Sequence, residues 1–406
     1  MSPCQGLFAG CANVSFSCRW NSYKSHCDRR LDLGLVADLP PANDGVSAFR
    51  QMSVTGTPSA PCFRMNAFCA SETSTLSSLS GSPPVKPYVV RHRRFACRCE
   101  HCGSQVKAPA PAVATATPFG PRIHALAIYL KGFHALSYER LRFLFDDAFG
   151  LIVSEGALMN MFIRSHAGFK IEADKAKAIL RKAKVVASDE TGVRIEGTNS
   201  YHWVFHCKEA VVHQPDYSRA ARVVEEMMNG HKPNVWISDR YSAQQKHGAA
   251  HQTCLAHLAR DTAFALEHGS DDLPLRFKLW FGKAFDLARE IASFAASTIA
   301  SKKRELENQL AALLAAATGC DLARQLQAKI GRAQEQLLVF CDYPGEVEAT
   351  NNGSERKLRP CVIQRKVTNG YRAMWAAQAE ADARTTVDTA RLTGANPFQT
   401  ILDTLV

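Results

Sequence analysis

Residues 183–215 decide the fold class, and they read AKVVASDETGVRIEGTNSYHWVFHCKEAVVHQP. Short apolar runs that are separated by turn residues are typical of neighbouring β-strands. The runs AKVVASD, GVRIEG, YHWVFHCK and AVVHQP predict consecutive strands, with turns at Gly192, at 197–199 and at 208–209. We therefore expect three antiparallel strands, the first of which leaves the core at the acidic residue Asp189.

A helix and a further strand follow this region. Residues 218–230 (SRAARVVEEMMNG) begin with Ser218, carry apolar residues at helical spacing and end at a glycine, which predicts a capped helix. Residues 234–239 (NVWISD) read as a buried strand that ends at Asp239. Three antiparallel strands, a helix and a strand ending in Asp predict an α/β fold of the ribonuclease-H-like type.

The remaining core residues are mostly helical in pattern. A helical stretch begins near Cys254 and runs to about Phe340, and residues of about 270–340 are expected to form a helical insertion in a catalytic core that spans 183–375. Glu355 falls in the first turns of a late helix, which Pro360 is expected to kink or interrupt. Residues 376–406 predict a helical tail, with a helix ended by Gly394.

Three further segments precede the core. Residues 121–166 repeat apolar residues at helical spacing around Gly150, with Ser137 and Ser154 as N-caps, which predicts two short helices in a helix-turn-helix or in an ordinary helical hairpin. Residues 87–107 form a small basic, cysteine-bearing patch. Residues 1–86 are rich in Ser, Pro, Gly and Cys without periodicity, so we expect them to be disordered or non-native, as a misplaced start codon or a disrupted frame would produce.

Charge and apolar runs restrict the partners. Lys and Arg number 49 against 38 Asp and Glu, a net charge of +11, which favours a polyanion such as nucleic acid. No apolar run is long enough to span a bilayer, so no membrane partner is expected. The 14 cysteines come without a visible secretory route, which favours reduced thiols or a metal site over disulfides.

Three carboxylates on separate elements are the candidate site: Asp189, Asp239 and Glu355. In a ribonuclease-H-like sheet the first and fourth strands are neighbours, so the two aspartates can meet, and a helix packed on the sheet can add Glu355. Gathered carboxylates raise one another's pKa unless a cation binds them, and Mg²⁺ or Mn²⁺ prefers oxygen ligands. Two such ions about 3.5–4 Å apart suit phosphodiester cleavage. Ordinary solvated surface carboxylates are the alternative.

Cations surround the third carboxylate. The segment after Glu355 carries six of them without an acid, a pattern that predicts a phosphate-binding surface or, more simply, a solvated basic helix face. The expected DNA-binding residues are Arg356, Lys357, Arg359, Arg365 and Lys366.

Five blocks together resemble the transposases of the insertion sequence 66 family: DETGVRIEG with YHWVF, SDRYSA, HQTCLAHLARD, NNGSERKLRPCVIQRK and DTARLTGANPFQTILDTL. The resemblance runs from about Phe95 to Val406 and keeps the family's order. It implies a DDE-type enzyme with a ribonuclease-H-like core and a helical insertion. It also implies that Asp189, Asp239 and Glu355 are the catalytic, metal-binding residues.

The N-terminal cysteines depart from the family pattern. The family carries a zinc module with two cysteine pairs, whereas FACRCEHCG supplies Cys97, Cys99 and Cys102 only. Zinc prefers four ligands, so His92 or His101, or Cys62 and Cys69 from upstream, would have to complete a site. Leftover reduced thiols are the alternative, and the family's N-terminal region is then missing.

The resemblance implies a bacterial DNA transposase that binds terminal inverted repeats through residues 121–166 and inserts them into target DNA. A homo-oligomer on paired DNA ends, accessory proteins of the same element and a cytoplasmic, nucleoid-associated location follow from it. The alternative is a catalytically inactive remnant that only binds DNA.

Overall fold

The structure, a computed structural model, describes residues 87–90, 94–98, 105–109 and 117–405. The segment 1–86 therefore lies outside the described residues. The chain divides into two compact units, of which the first comprises residues 1–118 with 144–152 and the second comprises 119–143 with 153–406. In the first unit, β1 (Ala96–Arg98) and β2 (Gln105–Lys107) form an antiparallel ribbon.

Three helices precede the main sheet: α1 (Pro121–His134), α2 (Tyr138–Phe149) and α3 (Glu155–Leu180). The predicted caps are confirmed, because Ser137 Oγ accepts the Arg140 N–H at 3.2 Å and Ser154 Oγ accepts the Ala157 N–H at 3.1 Å. Gly150 breaks the chain with a φ of +62°. The expectation of two short helices is wrong for α3, whose 26 residues continue because buried side chains recur at helical spacing as far as Leu180.

A five-stranded sheet forms the centre of the second unit. Its strands are β3 (Val185–Ile195), β4 (Thr198–His206), β5 (Val211–Asp216), β6 (Val235–Ser238) and β7 (Ala250–Thr253), in the order β5-β4-β3-β6-β7. β3, β4 and β5 pair antiparallel, as predicted, whereas β3–β6 and β6–β7 pair in parallel. Helix α4 (Arg222–Met228) connects β5 to β6. The molecule is therefore a mixed α/β protein.

Two details of the sheet differ from the prediction. Gly192 is not a turn, because β3 runs through it and pairs it with Tyr201. The Arg365 side chain donates to the Gly192 carbonyl oxygen. Strand β7 has no apolar run to reveal it. Its Gln252 is fully buried and satisfied by the main chain of Leu337 and Phe340.

Helices cover both faces of the sheet. On one face, Val186, Trp203 and Trp236 pack with α4 and the end of α3. On the other, Ala187 and Ile237 pack with a helical layer that comprises α5 (Leu255–His268), α6 (Leu273–Glu290), α7 (Ala296–Ala315) and α8 (Asp321–Gly331). Adjacent residues of a strand point to opposite faces, which is why Val186 and Ala187 enter different clusters.

Three more helices complete the unit: α9 (Asn352–Thr368), α10 (Met374–Leu392) and α11 (Pro397–Leu405). Helix α9 continues through Pro360 without interruption. Buried residues on both sides of the proline, Leu358 and Cys361, hold it in place against the penalty of about 3 kcal/mol that an internal proline carries. Gly394 follows the end of α10 with a φ of +79°, as predicted.

Among the described residues, no helix combines the length and the apolar character that a membrane crossing requires.

Candidate active site

Asp189 and Asp239 occupy matching positions on two neighbouring parallel strands. The β3–β6 pairing ends with Ala187 opposite Ile237, and each aspartate follows its strand's last paired residue by two positions. Paired strands lie about 4.8 Å apart, and residues two positions apart face the same side. Both aspartates therefore follow the β3–β6 pairing at the same end of these two strands.

This edge of the sheet is open because β6 ends there. β3 itself does not leave the core at Asp189; it continues to Ile195 with Asp189 paired opposite Val204. β6 stops at Ser238, and Asp239 begins a turn in which its Oδ1 accepts the Tyr241 N–H at 2.9 Å. Both aspartates are half-buried at this point.

Glu355 reaches the same region through the residue that begins its helix. Asn351 precedes α9, and its Nδ2 donates to the Ser188 carbonyl oxygen at 2.8 Å, directly before Asp189. The Ser354 hydroxyl donates to Asn351 Oδ1 at 2.7 Å and holds that amide in place. The Asn351 side chain thus ties the first turn of α9, which carries Glu355, to β3.

Burial and neighbouring carboxylates shift the ionisation of Asp189. Burial raises the pKa of Asp189 to about 7, and the Glu190 carboxylate adds to the increase. The Glu190 N–H, which donates to Asp189 Oδ1 at 2.9 Å, opposes it. The charges of Asp239 and Glu355 raise the pKa further. A cation at this edge would relieve that repulsion.

The three carboxylates are close without forming a closed ligand set. Among the residues that the structure describes, a different group, that of His202, His213 and Cys361, has three ligand atoms within 4.8 Å of one another. Glu355 Oε1 instead lies 3.2 Å from Arg260 Nη2 and 3.7 Å from His257 Nε2, both on α5. Sequence reasoning missed these two partners, since nothing in the α5 pattern points to Glu355.

The donor atoms fit Mg²⁺ or Mn²⁺, because all three side chains supply carboxylate oxygens. Asp189 and Asp239 each accept a main-chain hydrogen bond through Oδ1, and no described residue donates to either Oδ2. Each therefore keeps one oxygen for a metal ion. The contacts of Glu355 with Arg260 and His257 both use Oε1.

Stability should depend on pH through Asp189. The carboxyl ionises near 3.8 when unfolded and near 7 when folded, so the folded state holds an extra proton between these values. Its contribution to stability is thus lost as the pH rises from about 4 to about 7. In chelator-treated protein, thermal unfolding temperatures of wild type and Asp189→Asn should converge at pH 4 and separate at pH 8, with the variant more stable. Parallel curves would contradict the raised pKa.

A fourth acidic residue, Glu190, which the sequence analysis did not select, shapes this edge. The Glu190 side chain is 2% exposed and lies 2.6 Å from Arg219. Gln244, in the turn after β6, donates to its other oxygen at 2.7 Å. The Arg219 guanidinium stacks on the Tyr241 ring, 3.8 Å from its centroid. Glu190 therefore links β3 to the segment that holds Asp239, and only its place beside Asp189 hints at this.

The predicted DNA-binding cations divide into two groups on α9. Arg356, Arg359 and Lys366 are exposed and recur at helical spacing, so they share one face with the exposed Ile363. The other two are half-buried. Burial lowers the pKa of Lys357, against the attraction of Asp388, and Arg365 donates to the Gly192 carbonyl oxygen.

Most of the predicted zinc-binding cysteines lie outside the residues that the structure describes. Cys97 belongs to β1, but its side chain is not described, and Cys99 and Cys102 lie outside the described residues. The proposed helpers His92, His101, Cys62 and Cys69 lie outside as well.

A family model described as "Transposase IS66 family" matches residues 116–379, which is more than half of the chain. Comparison with curated individual proteins gives no match. The matched residues include β3–β7, α9 and all three candidate carboxylates.

Proposed function

The chain belongs to the transposase IS66 family, and on that premise we propose that it cuts the ends of a bacterial insertion sequence and joins them to target DNA. The proposal rests on the parallel β3–β6 pairing, which ends two residues before Asp189 and Asp239, and on the hydrogen bond from Asn351, at the start of the Glu355 helix, to Ser188. Family membership alone supports a transposase; the residues and the chemistry below are inferred.

The sheet order supports a ribonuclease-H-like core. Its three antiparallel strands come first in the chain, and the first of them, β3, lies next to the fourth, β6. A ribonuclease-H-like core requires that the first and fourth strands of its sheet be adjacent in this way. The helices α6, α7 and α8, between β7 and α9, correspond to the expected helical insertion.

Asp189, Asp239 and Glu355 would hold Mg²⁺ or Mn²⁺ at the open edge. When bound, the metal would polarise the scissile phosphate and lower the pKa of the attacking water or hydroxyl. Glu190, with Arg219 and Gln244, would keep the two aspartates in register. Glu355 would exchange its contact with Arg260 for the metal, which would free the Arg260 guanidinium for a phosphate oxygen.

The exposed face of α9 would follow the DNA backbone away from the reaction centre. Arg356 is the residue after Glu355, and Arg359 and Lys366 continue the same face by one and three turns. No acidic residue interrupts this face. Lys357 and Arg365 would contribute less, since both are half-buried and Arg365 donates to Gly192.

Binding of the terminal inverted repeats is assigned to residues 121–166, which contain α1, α2 and the start of α3. Cutting and joining two ends requires that two of them be held together, so we propose a homo-oligomer on DNA, with accessory proteins of the element as further partners. The site of action would be the bacterial cytoplasm, at the nucleoid.

The test uses full-length protein, a labelled duplex with the inverted repeats that flank the gene, and a supercoiled target plasmid. We expect cleaved and joined product with Mg²⁺ or Mn²⁺, and none with chelator or with scrambled repeats. Repeat-specific binding without product under either ion would favour the inactive remnant. Cutting without preference for the repeats would favour a simple nuclease, and loss of both binding and cutting would end the proposal.

A further inference from the structure

A second cluster of potential metal ligands lies inside the same unit, apart from the carboxylates. His202 on β4, His213 on β5 and Cys361 on α9 are 1%, 0% and 5% exposed. His202 Nε2 lies 3.0 Å from His213 Nδ1, and Cys361 Sγ lies 3.4 Å from the former nitrogen and 3.9 Å from the latter. The proposed transposition chemistry uses none of these residues.

The three distances between these ligand atoms match the distances between neighbouring ligands of a tetrahedral metal ion. Zinc binds imidazole nitrogen at about 2.0–2.1 Å and thiolate sulfur at about 2.3 Å. Tetrahedral angles then place two nitrogens about 3.3 Å apart and each nitrogen about 3.6 Å from the sulfur. The observed distances of 3.0, 3.4 and 3.9 Å lie within a few tenths of an ångström of those values.

One histidine also contacts a carboxylate through the ring nitrogen that faces away from the cluster, as metal-binding histidines commonly do. His213 Nε2 lies 3.0 Å from Asp388 Oδ2 on α10, so this nitrogen can donate its proton to the carboxylate, which would leave Nδ1 to bind a metal ion. The main chain of His213 is fixed as well, because its N–H donates to Thr385 Oγ1 at 2.9 Å.

Hydrogen bonds alone leave some polar atoms of this cluster without a good partner. With the Asp388 contact made, a single proton has to serve between His202 Nε2 and His213 Nδ1, and the Cys361–His213 contact is long. The buried His202 Nδ1 has no hydrogen-bond partner among the described residues. A metal ion would take one lone pair from each of the three side chains at once, which removes the competition.

We propose that His202, His213 and Cys361 form a buried binding site for a thiolate-preferring transition metal, with Zn²⁺ as its natural occupant and a water molecule in the fourth position. Nitrogen and sulfur ligands select Zn²⁺ over Mg²⁺, so the site is chemically distinct from the carboxylate edge. Its role is to fix α9 to β4 and β5. Because Cys361 follows Glu355 by six residues on that helix, the metal holds the platform of the third carboxylate.

The test measures cobalt binding to full-length apoprotein, with Co²⁺ as the spectroscopic substitute for zinc. A thiolate–cobalt charge-transfer band and the visible bands of tetrahedral cobalt are expected in the wild type. Cys361→Ser should lower bound cobalt by one equivalent per chain. Two controls should keep that equivalent: Cys341→Ser, another buried thiol, and Cys99→Ser with Cys102→Ser, which removes the N-terminal pair.

A second measurement guards against misfolding of the Cys361 variant. X-ray absorption of zinc-loaded Cys99→Ser/Cys102→Ser protein should show a first shell with one sulfur and two imidazoles, and Zn²⁺ should raise its unfolding temperature. The proposal is overturned if Cys361→Ser keeps all cobalt signal, or if the absorption edge shows oxygen ligands only. The cluster would then be a metal-free imidazole–thiol contact.

Discussion

Asp189→Asn should reduce cleavage and strand transfer by about 10³-fold or more, equivalent to at least about 4 kcal/mol of transition-state stabilisation. The amide keeps the size of the side chain but loses the negative charge that a divalent metal requires. It also removes a carboxyl whose pKa is raised by burial and by its acidic neighbours. The variant should therefore be inactive yet at least as stable as the wild type at pH 8. Time courses of joined product and thermal unfolding measure the two effects.

The control for this substitution is Asp286→Asn on α6. Asp286 is 63% exposed and forms only a surface pair with Arg289, so its loss should leave activity unchanged. Repeat binding should survive in both variants, because phosphate contacts and not the carboxylate supply the affinity. Activity in Asp189→Asn within tenfold of the wild type would remove this residue from the metal site.

Arg384→Met should lower the free energy of unfolding by about 3–5 kcal/mol, because it leaves the Glu380 carboxylate buried without its cation. Arg384 and Glu380 are 1% and 6% exposed on α10. Two guanidinium nitrogens donate to Glu380 Oε1, at 2.9 and 3.1 Å, and Nη2 also donates to Gln364 Oε1 at 2.6 Å. Tyr371 donates to the same carboxylate at 3.0 Å. Denaturant unfolding monitored by circular dichroism measures the loss.

A matched pair of variants separates the charge from the packing. Arg384→Met combined with Glu380→Gln should recover much of the lost stability, since a neutral amide can still accept the Tyr371 hydroxyl. Arg324→Met removes an exposed pair with Asp321 and should change stability by less than about 1 kcal/mol. No recovery in the double variant would mean that methionine fits the site badly and that the unpaired charge matters little.

Apolar runs and turn residues predicted the strands whose buried residues are mostly apolar. They failed for the strand whose buried residues are polar and for the glycine inside β3. β4, β5 and β6 were visible because most of their buried residues are apolar. β7 was not visible, since Gln252 and Thr253 are buried through side-chain hydrogen bonds that involve residues more than 80 positions away. Gly192 was misread because a glycine predicts a turn locally, whereas here β3 continues through it and pairs it with Tyr201.

The candidate site was accessible from the sequence only in part. Asp189 and Asp239 could be selected because each follows a recognisable strand, and Glu355 because of its family motif. Their present partners could not, since Arg260 and Gln244 carry no local signal of what they contact. The His202–His213–Cys361 cluster was equally hidden, as 148 positions separate Cys361 from His213.

Helix α9 is anchored at three points along its length. Asn351 ties its start to β3, Cys361 faces two histidines of the sheet, and Gln364 joins the Arg384–Glu380 pair. Each residue advances an α-helix by about 100°, so gaining or losing one residue inside this segment would turn every later anchor out of phase. Natural variation between residues 351 and 364 should hence exchange side chains but never alter the number of residues.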